Sequence, residues 1–253
     1  MPALSRRPFN LAILGVATTA MLLGSTASAQ ASAPALKTVT MDQAFGALPL
    51  AKQLPGAVRL VDKFETPGSA AVDVCPELDL SSLVGTLTGS SSSGALGVRL
   101  KGSMVGADYL PARSQTPQAE TASWSVGAVV FHTAKLAKAA AVTLAAAEKA
   151  CPKAAPAIPD FPLPFSLVRA ASAAYAVGGW TGYRTVDKLS TLDLLQGPDP
   201  VGTRSTQVFL TRGNLMIFIV EMGDIEPGTV ARQESWRKTA TRLMLANFDA
   251  LLS

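Results

Sequence analysis

The sequence predicts an α+β fold, on three observations. STQVFLT (Ser205–Thr211) and LMIFIVE (Leu215–Glu221) flank Arg212-Gly213-Asn214, the pattern of a β-hairpin whose glycine supplies the turn's positive φ. WSVGAVVFH (Trp124–His132) is rich in β-branched and aromatic residues and runs into the alanine-rich KLAKAAAVTLAAAEKAC (Lys135–Cys151), a strand followed by a helix. The chain closes on a long amphipathic helix from about Thr229 to Leu252, with Trp236, Ala240, Leu243, Met244, Asn247 and Leu251 on one stripe and Glu234, Lys238, Arg242 and Asp249 mostly opposite.

The first 29 residues read as a signal peptide. Arg6 and Arg7 precede a mildly apolar run, Leu11–Gly24, too short to span a bilayer. Ala27-Ser28-Ala29 offers the small-residue cleavage pattern and leaves Gln30 as the new terminus. Ser5-Arg6-Arg7-Pro8-Phe9 is a partial match to the twin-arginine export motif, with Asn10 where an apolar residue is usual, so both export routes stay open. The expected localisation is secreted or extracytoplasmic, soluble after cleavage near Ala29, with no permanent membrane insertion. Losing the leader's two arginines lowers the formal net charge of +4 to an excess of two. That excess is too small and too dispersed to argue for nucleic acid as a partner.

From there the elements follow in order. Residues 30–39 read as a disordered lead and 40–253 as a single domain. Thr40 is placed to cap a short helix beginning Met41-Asp42-Gln43, ended by Pro55-Gly56. Ala57–Lys63 is a short strand or a connector. GTLTGSSSSGALG (residues 85–97) is a flexible loop by composition and lacks the Lys-Ser/Thr ending of a phosphate-binding loop. Gly97–Lys101 and Ala107–Leu110 read as short strands. Thr133 caps the alanine-rich helix, and Cys151-Pro152 stops it. AAPAIPDFPLPFS (residues 154–166), with four prolines, is a stiff extended strap. Leu167–Ala176 leans towards helix, and Gly179–Asp187 alternates as a strand.

The chemistry sought along the chain is mostly absent. His132 is the one histidine, with no G-x-S-x-G elbow to supply a nucleophile. Ser235-Trp236-Arg237-Lys238 matches S-x-x-K without its companion motifs, and a core helix is the simpler reading. Glu77 with Asp79 and Asp187 with Asp193 are the nearest carboxylate pairs, at ordinary surface density. No catalytic residue, metal site or cofactor is expected. Cys75 and Cys151 are an even pair in an oxidising compartment; a bridge between them would stabilise by about 4–5 kcal/mol through loop closure, with two buried thiols as the alternative. Phe161 and Phe165 in the strap, and Trp180 and Tyr183 in the glycine-broken strand, are the candidates to line an apolar ligand cleft, or else fill core beneath the strap.

The order of these landmarks resembles the PknH-like extracellular (sensor) domain family of actinobacterial exported proteins. The resemblance rests on Cys75, on SWSVGAVVFHTAKLAKAAAVTLAAAEKAC and on VFLTRGNLMIFIVE with the closing helix, and it covers about residues 40–253. It implies an antiparallel sheet flanked by helices, one disulfide pairing Cys75 with Cys151, and a cleft for an unknown ligand. The family's second disulfide has no counterpart, because the chain holds only two cysteines. The function expected is an exported, non-catalytic ligand-binding or sensor-like module of the cell envelope. Its partner would be a small molecule, lipid or glycan. A structural or protein-interaction role with an envelope protein is the alternative, and a secreted hydrolase a distant third.

Overall fold

A computed structural model describes residues 35–56, 58–74, 97–111, 122–151, 165–169, 173–192, 200–224 and 227–253. Among these, the elements are α1 (Met41–Gly46), a 3-10 turn (Ala51–Gln53), β1 (Val58–Thr66), β2 (Ala70–Asp73), β3 (Gly97–Leu100), β4 (Ser103–Pro111), β5 (Ser123–Val130), α2 (Ala134–Ala150), β6 (Phe165–Arg169), β7 (Ala173–Val177), β8 (Trp180–Leu192), β9 (Pro200–Arg212), β10 (Leu215–Asp224) and α3 (Pro227–Leu252). Eight strands form one antiparallel sheet in the order β1-β4-β5-β10-β9-β8-β6, with β7 also paired to β8. β6 and β7 lie end to end along the outer edge of β8, opposite residues 187–191 and 180–184. β2 and β3 form a separate two-stranded ribbon. Leu36–Ser253 form one unit.

Alternation along the strands gives the sheet two apolar faces, each needing cover. On one, Val126, Ala128, Ile217 and Ile219 pack with Trp236, Ala240, Met244, Phe248 and Leu252 of α3 and with Ala44 of α1. On the other, Val129, Met216, Phe209 and Phe218 pack with Ala137, Ala140 and Leu144 of α2 and with Ala70 and Val72 of the ribbon. The α+β class and the antiparallel sheet with its terminal helix are therefore present. α3 starts on Pro227, a residue pre-set for the first helical position. Its buried stripe steps by four from Trp236 to Leu252, so Phe248 and Leu252 are in the core while Leu243, Asn247 and Leu251 are only half-buried.

Local signals are realised as chemistry predicts. Thr40 and Gln43 form a reciprocal capping box, with Gln43 N donating to Thr40 Oγ1 (3.3 Å) and Thr40 N to Gln43 Oε1 (2.9 Å). Thr133 Oγ1 accepts from Leu136 N at 3.2 Å. In the β9–β10 hairpin Arg212 pairs with Leu215, so the loop is the two residues Gly213-Asn214, with Gly213 at φ 58°.

Other expectations need correcting. Leu167–Ala176 is not helical: its described parts belong to β6 and β7, because each finds an open edge of β8 to pair with. Residues 36–39 are not a loose lead. Lys37 N donates to Leu252 O at 3.0 Å, and the backbone of Val39, which is buried, exchanges hydrogen bonds with the Asn214 side chain. Of the expected strand or connector at Ala57–Lys63, the described residues 58–63 are the start of β1, and β2 has no recognised signal in the sequence. The leader, the 85–97 loop apart from its last residue, residues 154–164 of the strap, and Cys75 lie outside the described residues, so the expected disulfide has only its Cys151 end in view.

Candidate functional site: an apolar pocket beside two strand glycines

On the face covered by α2 and the ribbon, strand register aligns one residue from each of six strands. Phe64 of β1 stands opposite Gly106 of β4, which pairs with Gly127 of β5. Gly127 pairs with Phe218 of β10, Phe218 with Phe209 of β9, and Phe209 with Tyr183 of β8. The row thus reads aromatic, glycine, glycine, aromatic, aromatic, aromatic. The two glycines remove the side chains that would fill the middle. A Cβ at Gly106 would strike the Phe64 ring, and a Cβ at Gly127 would strike the Phe218 ring and the Val105 carbonyl oxygen. Both rings therefore lie down over the glycine floor from either side. Glycine in a strand interior weakens the strand and marks such a close approach.

Beside this floor opens a cavity of about 230 Å³, lined by Phe64, Ala71, Val72, Met104, Ser125, Phe209, Phe218 and Val220. Ala71 and Val72 come from β2, so the ribbon forms one wall. The lining is almost wholly apolar. Its one hydroxyl is committed, since Ser125 Oγ donates to Asp108 Oδ1 at 2.6 Å. A site of this kind holds a ligand by removing apolar surface from water, at about 25 cal/mol per Å². Pockets for drug-sized ligands begin near ~300 Å³, so the occupant that fits is a short chain or a single ring.

Of the four cleft candidates, Trp180 and Tyr183 do not share a site. Tyr183 ends the aromatic row, with its ring 5.3 Å from that of Phe209. Burial, then the charge of Glu148, raises its phenol above the ordinary value. Trp180, three residues earlier, projects from the opposite face, where its Nε1 donates to Asp249 Oδ1 of α3 at 2.7 Å. An odd spacing along a strand requires that split. Trp180 is thus a clasp: Asp249 also accepts from Arg212 Nη1 at 2.6 Å, tying the start of β8 and the end of β9 to the last turns of α3. Phe165 opens β6, and Phe161 lies outside the described residues. Sequence reasoning missed Phe64, Phe209, Phe218, Gly106 and Gly127. The two in-strand glycines were the available signal.

A larger, more open depression of about 460 Å³ lies between α1 and α3. Its polar side chains are spent on the fold: Gln43 and Gln53 accept backbone N–H bonds, and Asn247 Nδ2 donates to Ala47 O at 2.8 Å. His132 is exposed at the end of β5. Among the described residues, no three His, Cys, Asp or Glu side chains cluster as metal ligands, and no helix is long and apolar enough to cross a membrane.

No family model matches the chain, and no curated protein matches it. Its structure is similar to the crystal structure of the extracellular domain of PknH from Mycobacterium tuberculosis, at 10% identity and a TM-score of 0.44, covering 82% of this chain and 97% of that one. A likeness of this degree does not place the chain in a family.

Proposed function

We propose that the chain is an exported, non-catalytic module of the cell envelope that binds a small apolar ligand or acyl segment in the apolar pocket beside the two strand glycines. The observation that carries this reading is the apolar cavity of about 230 Å³ beside the row, walled by Phe64, Phe209 and Phe218 of the sheet and by Ala71 and Val72 of the ribbon. Cores are packed nearly as densely as organic crystals, so an unfilled apolar cavity among aromatic walls is a costly arrangement for stability alone. A bridge from Cys75 to Cys151 belongs to the same reading. Its support is the buried Cys151 Sγ, 3.4 Å from the carbonyl oxygen of Val74, the residue before Cys75. That bridge would hold the ribbon wall beside the end of α2.

The test is a thermal-shift titration with uncharged straight-chain alcohols from octanol to dodecanol, with neutral glycans as a separate arm. A ligand at a hundred times its Kd stabilises by about 2.7 kcal/mol, or roughly 5–10 °C in a domain of this size. The expected result is a saturable rise with the alcohols that is lost in Ala71→Trp, which fills the pocket from an exposed position on its wall. No rise, or a rise indifferent to Ala71→Trp, would count against the reading.

One observation favours a protein partner as a second reading. β1 is an edge strand, and its Leu60 and Val61 are exposed (41% and 49%). Capture of an envelope protein by the wild type, lost in Val61→Lys with alcohol binding intact, would favour that reading over the first.

A further inference from the structure

The opposite face of the sheet carries a cluster of charge that its own counter-ions do not balance. Glu221 of β10 is fully buried and is flanked on adjacent strands by Trp124 and Thr206. Arg204 Nη1 lies 3.4 Å from Glu221 Oε1, and Arg204 Nη2 lies 3.2 Å from Oε1 of Glu234, a half-exposed side chain of α3. A second buried guanidinium, Arg237 of α3, stands with Nε 3.9 Å from Glu221 Oε2, beyond hydrogen-bond reach. A third, Arg184 of β8, has a buried Nε with no partner. Three arginines thus face two carboxylates, one of them at the solvent edge.

The shortage is also one of hydrogen bonds. Arg184 Nε, Arg237 Nε, both amide atoms of the fully buried Gln233, the indole N–H groups of Trp124 and Trp236, the Thr206 hydroxyl and Glu221 Oε2 are buried without partners. Donors outnumber acceptors among these atoms. Leaving such groups unpaired costs about 1–3 kcal/mol each, and more where they are charged. Burial, then repulsion from Arg184, lowers the Arg237 guanidinium from its ordinary value, against the opposing charges of Glu221 and Glu234. Glu221 offsets this only in part. Burial raises its carboxyl, against the pull of Arg237, Arg204 and Arg184, so its negative charge is itself disfavoured.

We infer that this cluster, between β8, β9, β10 and α3, is a binding site for one small oxyanion, a carboxylate or a phosphate group, gripped by Arg184 and Arg237. Planar guanidinium forks suit both chemistries. Arg184 is only partly buried and Glu234 is half-exposed, which marks the side of entry. The site lies on the face of the sheet away from the apolar pocket and does not depend on it.

The experiment titrates the full secreted chain with sodium phosphate and, separately, sodium acetate against sodium chloride at matched ionic strength. Melting temperature and tryptophan emission are both read, because Trp124 and Trp236 sit in the cluster. Vesicles of phosphatidylglycerol, with phosphatidylcholine as reference, form a third arm. The expected result is a saturable response to an oxyanion, at least tenfold weaker in Arg184→Gln. Arg184→Lys keeps the charge but not the fork; it should also bind more weakly, and it serves if the first variant does not fold. A response to free phosphate or acetate assigns a soluble ligand, and a response to phosphatidylglycerol vesicles alone assigns a lipid headgroup. Equal effects of chloride and oxyanions with no vesicle response, or a wild-type response in the folded Arg184 variant, would overturn the inference.

Discussion

The buried amide of Asn214 is satisfied on three sides: Nδ2 donates to Val39 O (2.9 Å) and Phe131 O (2.8 Å), and Oδ1 accepts from Val39 N (3.0 Å). One turn residue so ties the start of the domain to the end of β5, which is why residues 36–39 are ordered despite a bland composition. Tyr109 makes a comparable tie on the same face. It is fully buried, and its Oη donates to Pro49 O at 2.5 Å. Burial, with the charge of Asp108 adding to it, pushes its phenol up to about 12. Between the unfolded value near 10 and that value, the native state holds the proton that the unfolded chain releases, so stability falls as pH rises through this window. Denaturant midpoints measured from pH 8 to 12 should therefore drop more steeply above pH 10 in the wild type than in Tyr109→Phe. The variant should start lower, by about 1 kcal/mol, for the lost hydrogen bond. Equal slopes would mean that Tyr109 does not titrate late.

At the scale of elements, the two strand glycines are not equivalent. A Cβ at Gly127 meets the Val105 carbonyl oxygen as well as the Phe218 ring, and backbone does not yield. Gly127→Ala should cost about 1–3 kcal/mol in urea denaturation. Gly106→Ala meets only the Phe64 ring on the edge strand, which can swing aside, and should cost clearly less. A reversed order would show that the floor is not built as described. The same pair shows what was legible in advance. Thr40, Thr133 and Gly213 were readable because caps and turns act within a few residues. Leu167–Ala176 was misjudged because its short runs have no decisive period, and an open edge of β8 settled the matter. The pocket was hidden for a further reason. Its row is assembled by pairings between strands far apart in the chain, which no local pattern encodes. Trp180 and Tyr183, by contrast, could have been separated by their odd spacing alone.

For the whole molecule, the sheet keeps the two proposed sites apart. The α3 face holds the clasp of Trp180 with Asp249 and the arginine cluster, and the α2 face holds the pocket. The proposed bridge and leader make one joint prediction for the secreted protein. Its intact mass should begin at Gln30, and alkylation should label no thiol until reduction exposes two. Two reactive thiols before reduction would remove the bridge and leave the ribbon wall held by packing alone.

The central claim is that the apolar pocket beside the two strand glycines serves a ligand. Methyl NMR spectra of the processed protein, titrated with 1-decanol, test it most directly. The account predicts saturable shifts confined to Val72, Met104 and Val220, with the exposed Leu136 and Val142 of α2 unmoved. Shifts scattered over the exposed methyls, or none at the pocket, would contradict it.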